Sequence, residues 1–100
     1  MGNYNRLSEI ESIKKINLVL FLRDLGISPI RHSQNRYSYL SPLRVETHPS
    51  FIVYNDKNDW YDYGISVGGS IIDFVMHYYS MSYVDAIVLL RKRIGIEIHK

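Results

Sequence analysis

From Ile30 to Tyr63 the chain sets β-branched and aromatic residues between polar clusters, while the segments on either side carry apolar residues at helical spacing. That contrast confines the fold to helices around a small antiparallel sheet. Ile30, Tyr37, Tyr39, Phe51, Val53, Tyr54, Trp60, Tyr61 and Tyr63 supply the strand character. Ser33-Gln34-Asn35 and the run Asn55 to Asp59 supply the turns. Strands are predicted near 29–33, 36–41, 50–55 and 59–63, with Pro42 and Pro49 bracketing a loop between the second and third.

The flanks read as helices. Ser8 with Glu11 is a capping-box pattern, and Asn17 is a second start signal. Leu18, Phe21, Leu22 and Leu25 follow at helical spacing, Gly26 is placed as the stop, and Pro29 ends any continuation. Two short helices, or one kinked one, are expected over 8–25. After Gly68-Gly69, Ser70 with Asp73 starts a helix whose wide apolar stripe includes Ile71, Phe74, Val75 and Tyr78. Ser82 with Asp85 repeats the device for Tyr83, Ala86, Ile87 and Leu90. Arg91-Lys92-Arg93 then suits a helix C-terminus, closed by Gly95. The fold class is α+β: N-terminal helices, a small antiparallel sheet, two C-terminal helices. All 100 residues are expected to form one domain.

Composition removes several classes of function. The chain has no cysteine, which excludes a disulfide scaffold, a thiolate nucleophile and a zinc site built on thiolates. With 46% hydrophobic residues it can bury a core. The net charge of +2 allows a nucleic-acid surface without arguing for one. Its longest apolar runs, Leu18–Leu22 and Ala86–Leu90, fall far short of the ~20 residues a membrane helix needs. The N-terminus lacks a signal peptide's apolar stretch, and Arg6 stands where myristoylation wants Ser or Thr. A soluble cytoplasmic domain with no membrane contact is the expectation.

Most catalytic candidates fail on spacing. Asp56, Asp59 and Asp62 recur every third residue, but a calcium loop would need Gly in place of Tyr61 and Glu in place of Val67. His32, His48, His77 and His99 show no ligand-like spacing. The segment Gly64 to Ser70 opens a helix as a phosphate loop does, yet lacks the lysine that reaches a nucleotide's phosphates. It reads as a tight strand-to-helix turn, or as a helix end touching a polynucleotide phosphate.

Seven of the 13 aromatic residues lie between 37 and 63, interleaved with Arg31, Arg36, Arg44 and Lys57. Single-stranded nucleic acid is held in this way, bases stacked on rings while cations follow the backbone. Glu46, Asp56, Asp59 and Asp62 nearly cancel the segment's charge, so an ordinary aromatic core with a solvated rim remains open on composition.

The order of motifs then becomes informative. Tyr39-Leu-Ser41-Pro42-Leu-Arg44, Pro49-Ser50-Phe51, Trp60-Tyr-Asp62-Tyr-Gly64 and Gly68-Gly69-Ser-Ile-Ile72-Asp73-Phe74 resemble the N-terminal zinc-ribbon domain of bacterial DNA primases over about residues 10–94. In that family Cys-Pro-Phe-His and a later Cys-x-x-Cys hold zinc, and the domain engages the single-stranded template. The corresponding positions are Ser41, Arg44, Asp62 and Ile65, none of them Cys or His. The resemblance is nearest to zinc-less variants preceding topoisomerase–primase domains in mobile-element proteins of Bacteroides-type bacteria. It therefore implies a zinc-ribbon-like but metal-free domain, without a cofactor. Ligands of one tetrahedral zinc lie ~4 Å apart. Arg44 and Asp62 would inherit adjacent corners and form a charge-assisted pair, with Ser41 hydrogen-bonded nearby and Ile65 filling the last corner.

The resemblance also limits the chemistry. A primase polymerises in a separate domain with an Asp-x-Asp metal motif, and this chain contains no Asp-x-Asp. The expectation is a non-catalytic, DNA-binding accessory domain of a primase-like replication or mobilisation protein. Its partners would be single-stranded DNA and a topoisomerase–primase catalytic domain in the same or another chain. Candidate stacking residues are Tyr37, Tyr39, Trp60 and Tyr61, with Trp60 equally assignable to the core. Candidate phosphate contacts are Arg31, Arg36, Arg44 and Lys57, with Arg44 withdrawn if committed to Asp62. The alternatives are a protein-interaction or structural module that lost zinc and DNA binding, and a metalloenzyme using His and Asp ligands.

Overall fold

The computed structural model describes residues 6–98. Two helices, α1 (Arg6–Lys14) and α2 (Leu18–Asp24), lead into five strands: β1 (Arg31–Ser33), β2 (Arg36–Tyr39), β3 (Phe51–Tyr54), β4 (Asp59–Asp62) and β5 (Val67–Gly69). Helices α3 (Ile71–Tyr79) and α4 (Tyr83–Ile98) follow. The strands form one antiparallel meander in sequence order.

The predicted caps at Asn17, Ser70 and Ser82 are present. The Asn17 side chain accepts from Leu20 N, Ser70 and Asp73 form a reciprocal capping box, and Ser82 Oγ accepts from Asp85 N. Gly26, at φ +84°, closes α2 with the paired bonds Ile27 N to Leu22 O and Gly26 N to Arg23 O. Three expectations are corrected. Helix α1 is already formed at Arg6, so Ser8 and Glu11 lie inside it and Ser8 is not its cap. Helix α4 runs through Gly95 to Ile98, because nothing at Gly95 adopts the left-handed backbone that ends a helix. The basic run is spent sideways, with Arg91 paired to Glu9 of α1 and Arg93 to Asp24 of α2. Thirdly, Gly68 and Gly69 are not a bare turn: they pair with Tyr61 and Trp60 as a fifth strand.

Alternation gives the sheet two faces. Tyr39, Phe51, Val53, Trp60 and Asp62 point inward beneath the helices. Phe51 stacks on Trp60 at 5.1 Å, and Phe74 of α3 meets both rings edge-on at 5.9 and 6.1 Å. Such pairs add about 0.5–1.5 kcal/mol each beyond their buried area. Trp60 is 2% exposed and its Nε1–H donates to Ser70 O at 2.8 Å, tying β4 to the start of α3.

A second tie runs from the β3–β4 turn. Asn58, left-handed at φ +56°, accepts from Leu18 N at 2.9 Å and donates to Lys14 O and Ile16 O. One side chain thereby serves both the end of α1 and the start of α2. Asn17 reinforces it by donating to Asn55 Oδ1 at 3.0 Å.

Candidate functional site

The outward face of the sheet carries a different set of residues. Arg31, Ser38, Ile52, Tyr61 and Gly68 form one cross-strand row, and Ser33, Arg36, Tyr54 and Asp59 the next. Tyr63 continues this face beyond β4 and is 56% exposed. Its ring meets Tyr61 at 4.6 Å and its hydroxyl bonds that of Tyr54 at 2.7 Å. That hydrogen bond pushes the Tyr54 phenol upward in pKa. The Arg36 guanidinium and the Lys57 ammonium stand 5.8 and 5.9 Å from the Tyr54 ring centroid, within cation–π range. Tyr54, Lys57, Asp59, Tyr61 and Tyr63 thus wall an open depression. Three tyrosine rings and the exposed Arg31, Arg36 and Lys57 share one surface.

The predicted residues divide between the faces. Arg31, Arg36, Lys57 and Tyr61 lie on the outer one. Tyr39 is corrected to a core residue and Trp60 takes the core place left open for it, because their inward register removes both rings from solvent. Burial also pushes the Tyr39 phenol up to about 12. Tyr37 shares the inward register and stacks on His32 at 3.9 Å. Tyr54 and Tyr63 were missed. Strand parity could have found both, since residues two apart share a face and Tyr61 and Tyr63 are such a pair.

Arg44 is committed elsewhere. Asp62 is fully buried (0% exposed), and its Oδ1 accepts from Arg44 Nη2 at 2.6 Å and from Gly64 N at 2.9 Å. Its Oδ2 accepts from Ser41 Oγ at 2.7 Å, and Ser41 Oγ in turn accepts from Leu43 N. Arg44 also donates to Ser50 Oγ at 3.0 Å and pairs with Glu46. Glu46 accepts the Thr47 and His48 amides. Burial raises the Asp62 pKa, but Arg44, Ser41 and Gly64 outweigh it and hold the carboxyl low. Arg44, then the two amides, bring Glu46 down to about 2.

Ser41, Arg44 and Asp62 therefore converge as expected, while Ile65 does not fill a corner, being 42% exposed. Glu46 and Ser50 complete the cluster instead. Gly64 is required beside it, since a Cβ there would stand 1.8 Å from Arg44 Nη2. The knot also revises the charge balance. Glu46 and Asp62 are consumed by Arg44, which leaves Arg31, Arg36 and Lys57 facing Asp56 and Asp59.

These residues do not fit the zinc that the resemblance would bring. A permanently charged guanidinium sits among them, both Asp62 oxygens are engaged by donors, and there is no thiolate or imidazole. Among the described residues no group of three or more His, Cys, Asp or Glu is placed to hold a metal ion. Nor is any helix among them long and apolar enough to cross a membrane.

Comparison with known proteins agrees with the sequence resemblance. A family model described as CHC2 zinc finger matches residues 6–100. The DNA primase of Clostridium acetobutylicum is 32% identical over 89 residues, covering 89% of this chain and 15% of that protein. The DNA primase of Pseudomonas aeruginosa is 32% identical over 69 residues, 69% of this chain and 10% of the relative. The chain therefore spans only a small part of the relatives it matches. A crystal structure of the Aquifex aeolicus primase, comprising zinc-binding and RNA polymerase domains, superposes with a TM-score of 0.73 at 26% identity. The match covers 87% of this chain and 21% of that one.

Proposed function

The chain belongs to the CHC2 zinc finger family, and from that premise we propose that it is a non-catalytic, single-stranded-DNA-engaging domain of a primase-like replication or mobilisation protein. The polymerising chemistry belongs, in this reading, to a topoisomerase–primase domain in the same or another chain.

The observation that carries the reading is the outer sheet face, where Tyr54, Tyr61 and Tyr63 lie beside Arg31, Arg36 and Lys57. Unpaired bases stack on exposed rings for about 1–3 kcal/mol each, whatever their identity. Cations set around the rings meet the phosphates that join those bases. A duplex keeps its base faces inside its own stack, so this surface favours single strands. The inward Tyr39 and Trp60 hold the sheet to the helices and leave the contact to the other face.

Fluorescence anisotropy of labelled oligonucleotides, titrated with the chain over a salt series, tests this. The expected result is preference for single strands, with log affinity falling linearly in log salt. Three phosphate contacts give a slope near about −2. Absence of binding at about ten times the weakest non-specific affinities usual for DNA-binding proteins, even at low salt, would overturn it. The protein-interaction reading would then take its place, on the exposed Tyr83, Val84 and Val88 of α4.

A further inference from the structure

We infer that the knot of Ser41, Arg44, Glu46, Ser50 and Asp62 performs in this chain the cross-linking that a bound metal performs in other members of its family. A metal ion in a zinc finger joins segments distant in sequence through one centre and contributes directly to folding. Here the centre is the Arg44 guanidinium with the Asp62 carboxylate. Asp62 closes the end of β4, while Ser41, Arg44, Glu46 and Ser50 all belong to the long β2–β3 connection. The bonds from Ser41 and Arg44 to Asp62 span 21 and 18 residues.

The pair joins a fully buried carboxylate to a guanidinium that keeps a quarter of its side chain in solvent. Such a pair stabilises only when its remaining lone pairs and protons are satisfied. Asp62 accepts three donors, and Arg44 reaches Asp62, Glu46 and Ser50 through Nη1 and Nη2, which leaves its Nε–H as the one buried donor of the pair without a partner. Glycine at 64 is the steric condition, since any side chain there would occupy the guanidinium's place. The knot also sets the outer face. Asp62 lies between Tyr61 and Tyr63, and it holds the amide of Gly64, so the chain that presents both rings is fixed from within. The inference stands whether or not that face holds DNA.

The test combines metal depletion with substitution in the full chain. Melting temperature is measured after dialysis against a strong chelator, and again with added zinc. It is expected to be the same in both; a fall on chelation that zinc reverses would overturn the inference. Arg44→Met strands the Asp62 charge and is expected to lower the melting temperature by at least about 10 °C. Should that variant fail to fold, Ser41→Ala removes one bond to Asp62 and leaves the pair intact. Hydrogen exchange at the Leu43 and Gly64 amides, which bond to Ser41 and Asp62, is then expected to accelerate about tenfold or more while α3 is unchanged. Unchanged melting in Arg44→Met, or unchanged exchange at both amides in Ser41→Ala, would show that the knot carries no such role.

Discussion

Gly68 lies directly across the sheet from Tyr61, and a Cβ on it would stand 2.5 Å from Cδ1 of that ring and 2.5 Å from the Trp60 carbonyl oxygen. The bare strand lets the tyrosine lie over β5. Gly68→Ala should therefore tilt the ring, weaken the sheet edge and lower stability by about 1–3 kcal/mol, the usual range for an overpacked site. Urea unfolding measures the first effect. In the same variant, affinity for single-stranded DNA should fall several-fold more than stability alone accounts for. Full affinity in a folded Gly68→Ala protein would mean that Tyr61 does not need its present tilt.

The outer face should separate stacking from charge. Tyr61→Ala and Tyr63→Ala should each cost about 1–3 kcal/mol of single-strand affinity and leave the salt slope alone. Arg36→Ala and Lys57→Ala should each flatten the slope by about 0.7. Val45, wholly exposed at the tip of the β2–β3 loop, is the control. Val45→Ser should change neither quantity. Anisotropy titrations at four salt concentrations separate the tyrosine variants, the cation variants and the control.

Acid should loosen the knot before it loosens the helices. Glu46 is brought down to about 2 and Asp62 is also held low. Lowered carboxyl pKa values mean stability fully present above the unfolded value of about 4 and lost as pH falls through the folded ones. Melting temperature should thus decline across about pH 4.5 to 2. In Arg44→Met the same decline should be shallower, because both carboxyls have lost the partner that lowered them. Parallel curves for the two proteins would contradict this.

Asn58 should be irreplaceable for a different reason. Its side chain meets three backbone groups, at the end of α1, at the start of α2 and in the connection between them, and its backbone is left-handed at φ +56°. Asn58→Gly keeps the turn and deletes the bonds, and should cost about 2–3 kcal/mol in a urea melt. Asn58→Ala adds backbone strain and should cost more. Equal losses in the two would show that the turn conformation matters little.

Much of this architecture was legible in the sequence because the signals were local. Asn17, Gly26, Ser70 and Ser82 act through bonds to residues two to five positions away, so their neighbours reveal them. Strand β5 was hidden, since Val67-Gly68-Gly69 has little strand character and is recruited by the edge of β4. The site was half legible. Aromatic and basic residues marked the right segment, but Trp60 and Tyr61 are adjacent in a strand and face opposite ways. Composition does not say which parity the helices will cover; the packing of Phe74 on Trp60 decides it. In the knot, Ser41, Arg44 and Asp62 were visible as a set through the family pattern. Glu46 and Ser50 stand at none of that family's ligand positions, and they enter because a guanidinium has more donors than one carboxylate can accept.

Oxidation offers a last contrast. Thiolate ligands lose their metal when an oxidant converts them to disulfide or sulfenic acid. The hydroxyl, carboxylate and guanidinium groups that tie Ser41, Arg44 and Asp62 together have no such states to enter, and the chain has no cysteine elsewhere. Peroxide at doses that inactivate thiol-dependent proteins leaves this fastening chemically untouched, with its three methionines as the sulfur that remains to be oxidised.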